Sequence, residues 1–199
     1  MRRIIQTKIT AIVFFSLSLA LTNTTLSAEN SYLADTETFS IPGHGELIMQ
    51  VPRIWNYNFT KTDENIPPLI TFYILDKYKK EIFQLNMSVF TNTGYHKNIT
   101  SEEYVKNIVT EAGNKIIAYS DQTKLILQTV ESKQGNGYFF DLTDSNAKQN
   151  EFKYLTQGAV SVNEVLLVFS LFSNDEKGIL REAMLNSLNT AYHINRKDI

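Results

Sequence analysis

Gln134-Gly135-Asn136-Gly137, followed by Tyr138-Phe139-Phe140-Asp141-Leu142-Thr143, reads as a turn and the strand that leaves it, and this reading decides the fold. Asn-Gly between two apolar runs is a strong hairpin signal, because both residues tolerate the positive φ of a tight turn. Leu125 to Glu131 supplies the incoming strand. A second hairpin follows, with Phe152 to Val160 and Val165 to Phe172 joined across Ser161 to Glu164. Val165-Leu166-Leu167-Val168-Phe169 shows no polar alternation, which predicts a strand covered on both faces. Ile116 to Tyr119 is expected as a further short strand ahead of this meander.

Helices flank the meander. Upstream, Thr100 and Glu103 have the spacing of a capping box, in which hydroxyl and carboxylate each satisfy a free backbone amide. Tyr104, Val105, Ile108, Val109 and Ala112 then fall on one stripe, with Glu102 and Lys106 paired across a turn of the opposite face. Gly113 is expected to end this helix in the left-handed conformation. Downstream, Ser173 and Glu176 repeat the capping spacing, and Leu180, Met184, Leu188 and Ala191 give the inward stripe of a closing helix.

Nearer the start, Thr38 to Ile41 and Glu46 to Val51 read as strands around the turn Pro42-Gly43-His44-Gly45. Val51-Pro52-Arg53-Ile54-Trp55 leads into residues 56–65, a polar stretch expected as an exposed loop and closed by Pro67-Pro68. Leu69 to Leu75 is the next strand. Phe83, Leu85, Met87 and Val89 alternate with Gln84, Asn86 and Ser88, the period of a strand with one polar face. Two helices and a largely antiparallel sheet of about six or seven strands make an α/β (α+β) sandwich, a single domain over residues 37–199.

The first 28 residues carry an address. Arg2, Arg3 and Lys8 precede an apolar run from Ile9 to Leu21, and Leu26-Ser27-Ala28 places a small residue where signal peptidase cuts, between Ala28 and Glu29. A signal peptide over 1–28 and a flexible leader over 29–36 are therefore expected, and the protein is expected in the periplasm or secreted, with no transmembrane helix after cleavage. An uncleaved N-terminal anchor is the rival reading of the same run. The chain holds no Cys, so lipid attachment at a cysteine is excluded and the core must hold without disulfides. Without residues 1–28, 16 Lys and Arg remain against 21 Asp and Glu, a net charge of −5. That balance disfavours nucleic acid and anionic lipid, each of which needs a basic face.

At this point the order of parts resembles the PsbP/Mog1-like superfamily, which includes DcrB-like bacterial envelope proteins. The likeness runs over residues 37 to 194. It rests on the strand leading into Val51-Pro52-Arg53-Ile54-Trp55, on Gly137-Tyr138-Phe139-Phe140 and on the hairpin ending in Val165 to Phe172. Members often carry Pro-x-Gly-Trp at the first of these places, and here Ile54 stands where the Gly would be. The resemblance implies a sheet sandwiched with helices. It implies no catalytic motif, and so a binding or accessory role.

The sequence offers little catalytic chemistry. There is no Gly-x-Ser-x-Gly elbow, no thiol and no Gly-rich phosphate loop after a strand. His44, His96 and His193 lie in separate segments and are expected at the surface. Asp141 with Asp144, and Asp63 with Glu64, are the nearest approach to metal-ligand spacing and read as solvated carboxylates. Neither catalytic residues nor a cofactor or metal is therefore expected. Asn58-Phe59-Thr60, Asn86-Met87-Ser88 and Asn98-Ile99-Thr100 match a glycosylation acceptor by chance. Trp55 has two readings, a core plug fixed by Pro52 or, with Tyr57 and Phe59, an aromatic binding edge.

The expected function is that of an exported, non-catalytic binding or accessory protein of the bacterial envelope, its partner another envelope protein. A protein released to act on external or host targets shares every one of these features. A hydrolase whose site carries no familiar motif is the remaining alternative.

Overall fold

The computed structural model describes residues 33–60, 66–77, 81–92, 98–148 and 151–195. The expected signal with its Ala28–Glu29 junction, His96, Asp63 and Glu64 lie outside them. Among the described residues, ten strands and two α-helices follow in chain order. They are β1 (Ala34–Ile41), β2 (Gly45–Pro52), β3 (Asn56–Thr60), β4 (Leu69–Leu75), β5 (Glu81–Thr91), α1 (Glu102–Ile116), β6 (Gln128–Ser132), β7 (Gly135–Thr143), β8 (Tyr154–Val162), β9 (Val165–Ser173), α2 (Ile179–Thr190) and β10 (Tyr192–Ile194).

Seven of the strands form one antiparallel sheet in the order β3-β4-β5-β9-β8-β7-β6, and β1-β2-β10 form a second. The α+β architecture and the sheet of seven match the expectation. The sheet of three is an addition, and it changes what lies against the large sheet. One face of the large sheet carries α1, whose Val105 and Val109 pack on Phe140, Leu142, Ala159 and Leu166. The other face carries the small sheet and α2 together, through Phe39, Leu47, Met49, Leu180, Met184 and Leu188.

The strand β9 lies between these two cores, which is why its sequence has no polar alternation. Leu167, Phe169 and Leu171 enter the larger core, while Leu166 and Val168 face α1. β5 beside it buries one face, and Phe83, Leu85, Met87 and Val89 are each at most 1% exposed. Phe39, Phe72, Phe83, Phe140 and Phe169 are equally closed off, and each stabilises the fold by roughly 1.5–3 kcal/mol through burial.

Several local expectations are corrected. Strand β1 begins at Ala34, inside the expected leader, because Ala34 to Thr36 pair with Gln50 to Pro52. Residues 56–60, expected as loop, form β3, with Tyr57 opposite Phe72 and Phe59 opposite Ile70. Residues 116–119 are not a strand but the last helical residue and a 3₁₀ turn. The cap of α1 is Ser101, whose hydroxyl accepts from the Tyr104 amide at 3.3 Å, one residue later than Thr100. Gly113 does not end α1. A Cβ there would lie 2.5 Å from a Leu125 methyl, so glycine lets the returning chain press against the helix.

The hairpin tips differ as well. Lys133 and Gln134 connect β6 to β7, and Asn136-Gly137 already pair with Glu131 and Val130. Gly137 is glycine because a Cβ would meet the Ala159 carbonyl of β8 at 2.1 Å. Ser173 belongs to β9, so it cannot cap α2. Gly178, at φ 71°, is the cap residue, and the Asp175 carboxylate accepts from the amides of Lys177 at 3.1 Å and Leu180 at 2.8 Å.

Candidate functional site

The face of the large sheet that bears α1 is only partly covered, because α1 lies over β7 and β8. Beyond it, the alternation of β3, β4, β5 and β9 brings side chains of one kind together. Asn58 is paired with Thr71, Thr71 with Asn86, Asn86 with Ser170, and Ser170 with Gln157. A row of amides and hydroxyls thus crosses five strands in register, since residues on one face of neighbouring strands line up. Its members grade from exposed (Asn58) through half-buried (Thr71 and Asn86) to buried (Ser170 and Gln157).

The row is organised about Asn86. Its Oδ1 accepts from Thr71 Oγ1 at 3.0 Å and from Gln84 Nε2 at 3.2 Å. The next row on the same face runs Asn56, Tyr73, Gln84 and Phe172, and Phe172 lies against Phe152 at 6.3 Å between ring centroids. No charged side chain occurs in β3, in β4 or in β5 from Ile82 to Thr91, although 20% of the chain is charged. Glu81 stands at the near end of β5, and burial holds its carboxyl above the usual range. The arrangement can hold and orient a neutral hydrogen-bonding ligand. The alternation of Gln84, Asn86 and Ser88 was legible as one polar face, but its continuation through Asn58 and Ser170 depended on strand order.

The aromatic residues singled out from the sequence lie on the opposite side. Trp55 is 7% exposed and packs on Phe83 and Phe72, so the core-plug reading describes its place. Phe59 meets Phe39 edge-on at 5.6 Å and packs against the same core. Tyr57 also meets Phe39, but stays 38% exposed and donates its hydroxyl to Glu37 at 2.8 Å. That bond raises the Tyr57 pKa, because the neighbouring carboxylate favours the protonated phenol. The three residues are joined through Phe39 and Phe72, and only Tyr57 reaches well into solvent.

His193, though not the half-buried His44, corrects the expectation of surface placement. His193 lies in β10 and is 2% exposed, with Nε2 at 2.6 Å from the His44 carbonyl oxygen. The ring therefore closes the β1–β2 turn onto β10. Asp141 is likewise more than a solvated carboxylate. It accepts from Gln128 Nε2 at 2.8 Å, Thr156 Oγ1 at 2.5 Å and Arg181 Nη1 at 2.7 Å, joining α2 to three strands of the sheet. Asp144 does a separate task, its Oδ1 taking the Asn146 amide at 2.8 Å in the turn after β7. Among the described residues no three His, Asp or Glu side chains come together as a metal-binding group, and no helix is long and apolar enough to cross a membrane.

No protein-family profile and no curated protein matches the sequence. Solved structures do. The chain is similar to cyanobacterial PsbP from Synechocystis sp. PCC 6803, with a TM-score of 0.46 and 10% identity, over 81% of this chain and 94% of that one. It is also similar to a Bacteroides thetaiotaomicron VPI-5482 protein, with a TM-score of 0.45 and 11% identity, over 76% of this chain but only 46% of that one. Both likenesses are of fold and say nothing of activity. The order of strands, helix, meander and closing helix in this chain is the order read from its own sequence.

Proposed function

We propose that this chain is an exported accessory protein of the bacterial envelope, acting by binding a partner and not by catalysis. The observation that supports binding is the in-register row of Asn58, Thr71 and Asn86, accessible hydrogen-bonding side chains with no charge among them, which Ser170 and Gln157 continue into the interior. Such a surface orients a ligand without supplying a nucleophile or a general base. Export rests on the basic start, apolar run and small residue of the first 28 positions.

Fractionation of expressing cells, with mass spectrometry of the mature N-terminus, tests the address. A chain beginning at Glu29 in the periplasm fits the proposal. The same chain in the culture medium transfers the role to targets outside the cell. Met1 retained in the membrane fraction makes Ile9 to Leu21 an anchor. Crosslinking in intact cells tests the role, and the proposal expects Asn86→Leu to reduce what is captured.

A further inference from the structure

We infer that the uncharged face of β3, β4, β5 and β9 is a binding surface for a neutral oligosaccharide, an inference resting on the reading of that face as a binding surface. Three observations carry it. The first is chemical pairing. Asn and Gln amides and Thr and Ser hydroxyls each both donate and accept, as the adjacent hydroxyls of a sugar do. Asn86 has its Oδ1 occupied by Thr71 and Gln84, and among the described residues its Nδ2 carries no bond.

The second is the absence of charge. A neutral polyol presents no charge for Lys, Arg, Asp or Glu to complement, and an ion left unpaired beneath it would be costly. The described strands meet that condition from Asn56 to Thr60, Leu69 to Leu75 and Ile82 to Thr91. A protein partner would call for a different composition, since interface centres are also rich in Trp, Met and Arg, none of which stands on this face.

The third is spacing. Tyr73 and Phe172 stand on either side of Gln84 in one row, two strand intervals apart, or about 9–10 Å. That is about the length of two pyranose rings, so two aromatic faces can flank sugars held by the amide between them. Both rings are half-buried, which leaves part of each to a ligand.

The test is an array of neutral and charged glycans probed with the purified protein, followed by calorimetry on what binds. The expected result is retention of neutral oligosaccharides, with affinity reduced about tenfold in Asn86→Leu, which removes several bonds, and about threefold in Asn58→Ala. Asn58 is exposed, so the second variant keeps the fold while probing the same row. Retention of charged glycans alone, or of none, overturns the inference. So does neutral binding that neither variant weakens. If glycans fail but Asn86→Leu still reduces crosslinked capture in cells, the inference falls and the face remains a binding surface with another occupant. If both fail, the reading of the face falls with the inference.

Discussion

Tyr57 Oη donates to Glu37 at 2.8 Å, and so ties β3 of the large sheet to β1 of the small one. Each is the outermost strand of its sheet. The bond thus closes one side of the larger core, above the ring contacts of Phe39 with Tyr57, Phe59 and Phe72.

Tyr57→Phe keeps those ring contacts and removes the hydroxyl. Because the pair is open to solvent, denaturant unfolding at neutral pH is expected to show a loss of about 0.5 kcal/mol. The Tyr57 pKa is raised in the fold, first by its bond to Glu37. Its contribution is therefore full below the ordinary tyrosine range and is lost as pH rises through the higher folded value. Wild type and variant should converge in stability in alkaline solution. A gap that stays constant into that range contradicts this account.

Glu81 gives the opposite lesson for an acid. Burial raises its carboxyl pKa, so the protonated form suits the fold and the ionised form at neutral pH does not. Its favourable contribution is complete below the usual glutamate value and is lost as pH rises through the folded one. Glu81→Gln should raise the melting temperature at pH 7 and lose that advantage on acidification, as differential scanning calorimetry would record.

Trp55 is the single tryptophan of the chain and is 7% exposed. Its emission should be blue-shifted in the native state and move to the red in one step with unfolding. Trp55→Ala empties the space against Phe72 and Phe83, at an expected cost of about 3–5 kcal/mol. A cost below about 1 kcal/mol would show that the indole is not part of the core.

Two glycines should respond differently to the same methyl group. In Gly137→Ala the new Cβ meets the Ala159 carbonyl and the Val160 Cα, both backbone, which cannot yield without moving β8. Loss of soluble, folded protein is expected. In Gly113→Ala the contacts are with the half-buried Leu125 side chain, and alanine recovers about 1 kcal/mol of helix propensity. That variant should melt within a few degrees of wild type. Circular dichroism on both checks the contrast.

The elements read correctly from sequence are those whose pattern is set by a large buried face. β5 alternates because one side meets the core, and the stripe of α2 survives because Leu180, Met184 and Leu188 all pack inward. The sequence misleads where local chemistry has two outlets. Thr100 and Ser101 are equally good caps, and the chain uses the later one. Asn136-Gly137 has the chemistry of a turn, but the closeness of β8 demands glycine within the strand itself. Tyr57 and Phe59 look like loop residues beside polar neighbours, yet β4 pairs with them and Phe39 meets both rings. The amide row was half legible. Each strand shows its own polar residues, but only the order β3-β4-β5-β9-β8 aligns them.

β2 is paired on one side with β1 and on the other with β10, where Leu47 stands opposite His193 and the His193 ring reaches the His44 carbonyl. The small sheet therefore joins residues 34–52 to residues 192–194, with nearly the whole domain between them in sequence. A chain emerging from the ribosome cannot finish this sheet until β10 has been made. Pairings this distant in sequence form late and slowly. Under the export proposed above, the small sheet is completed only after β10 has crossed.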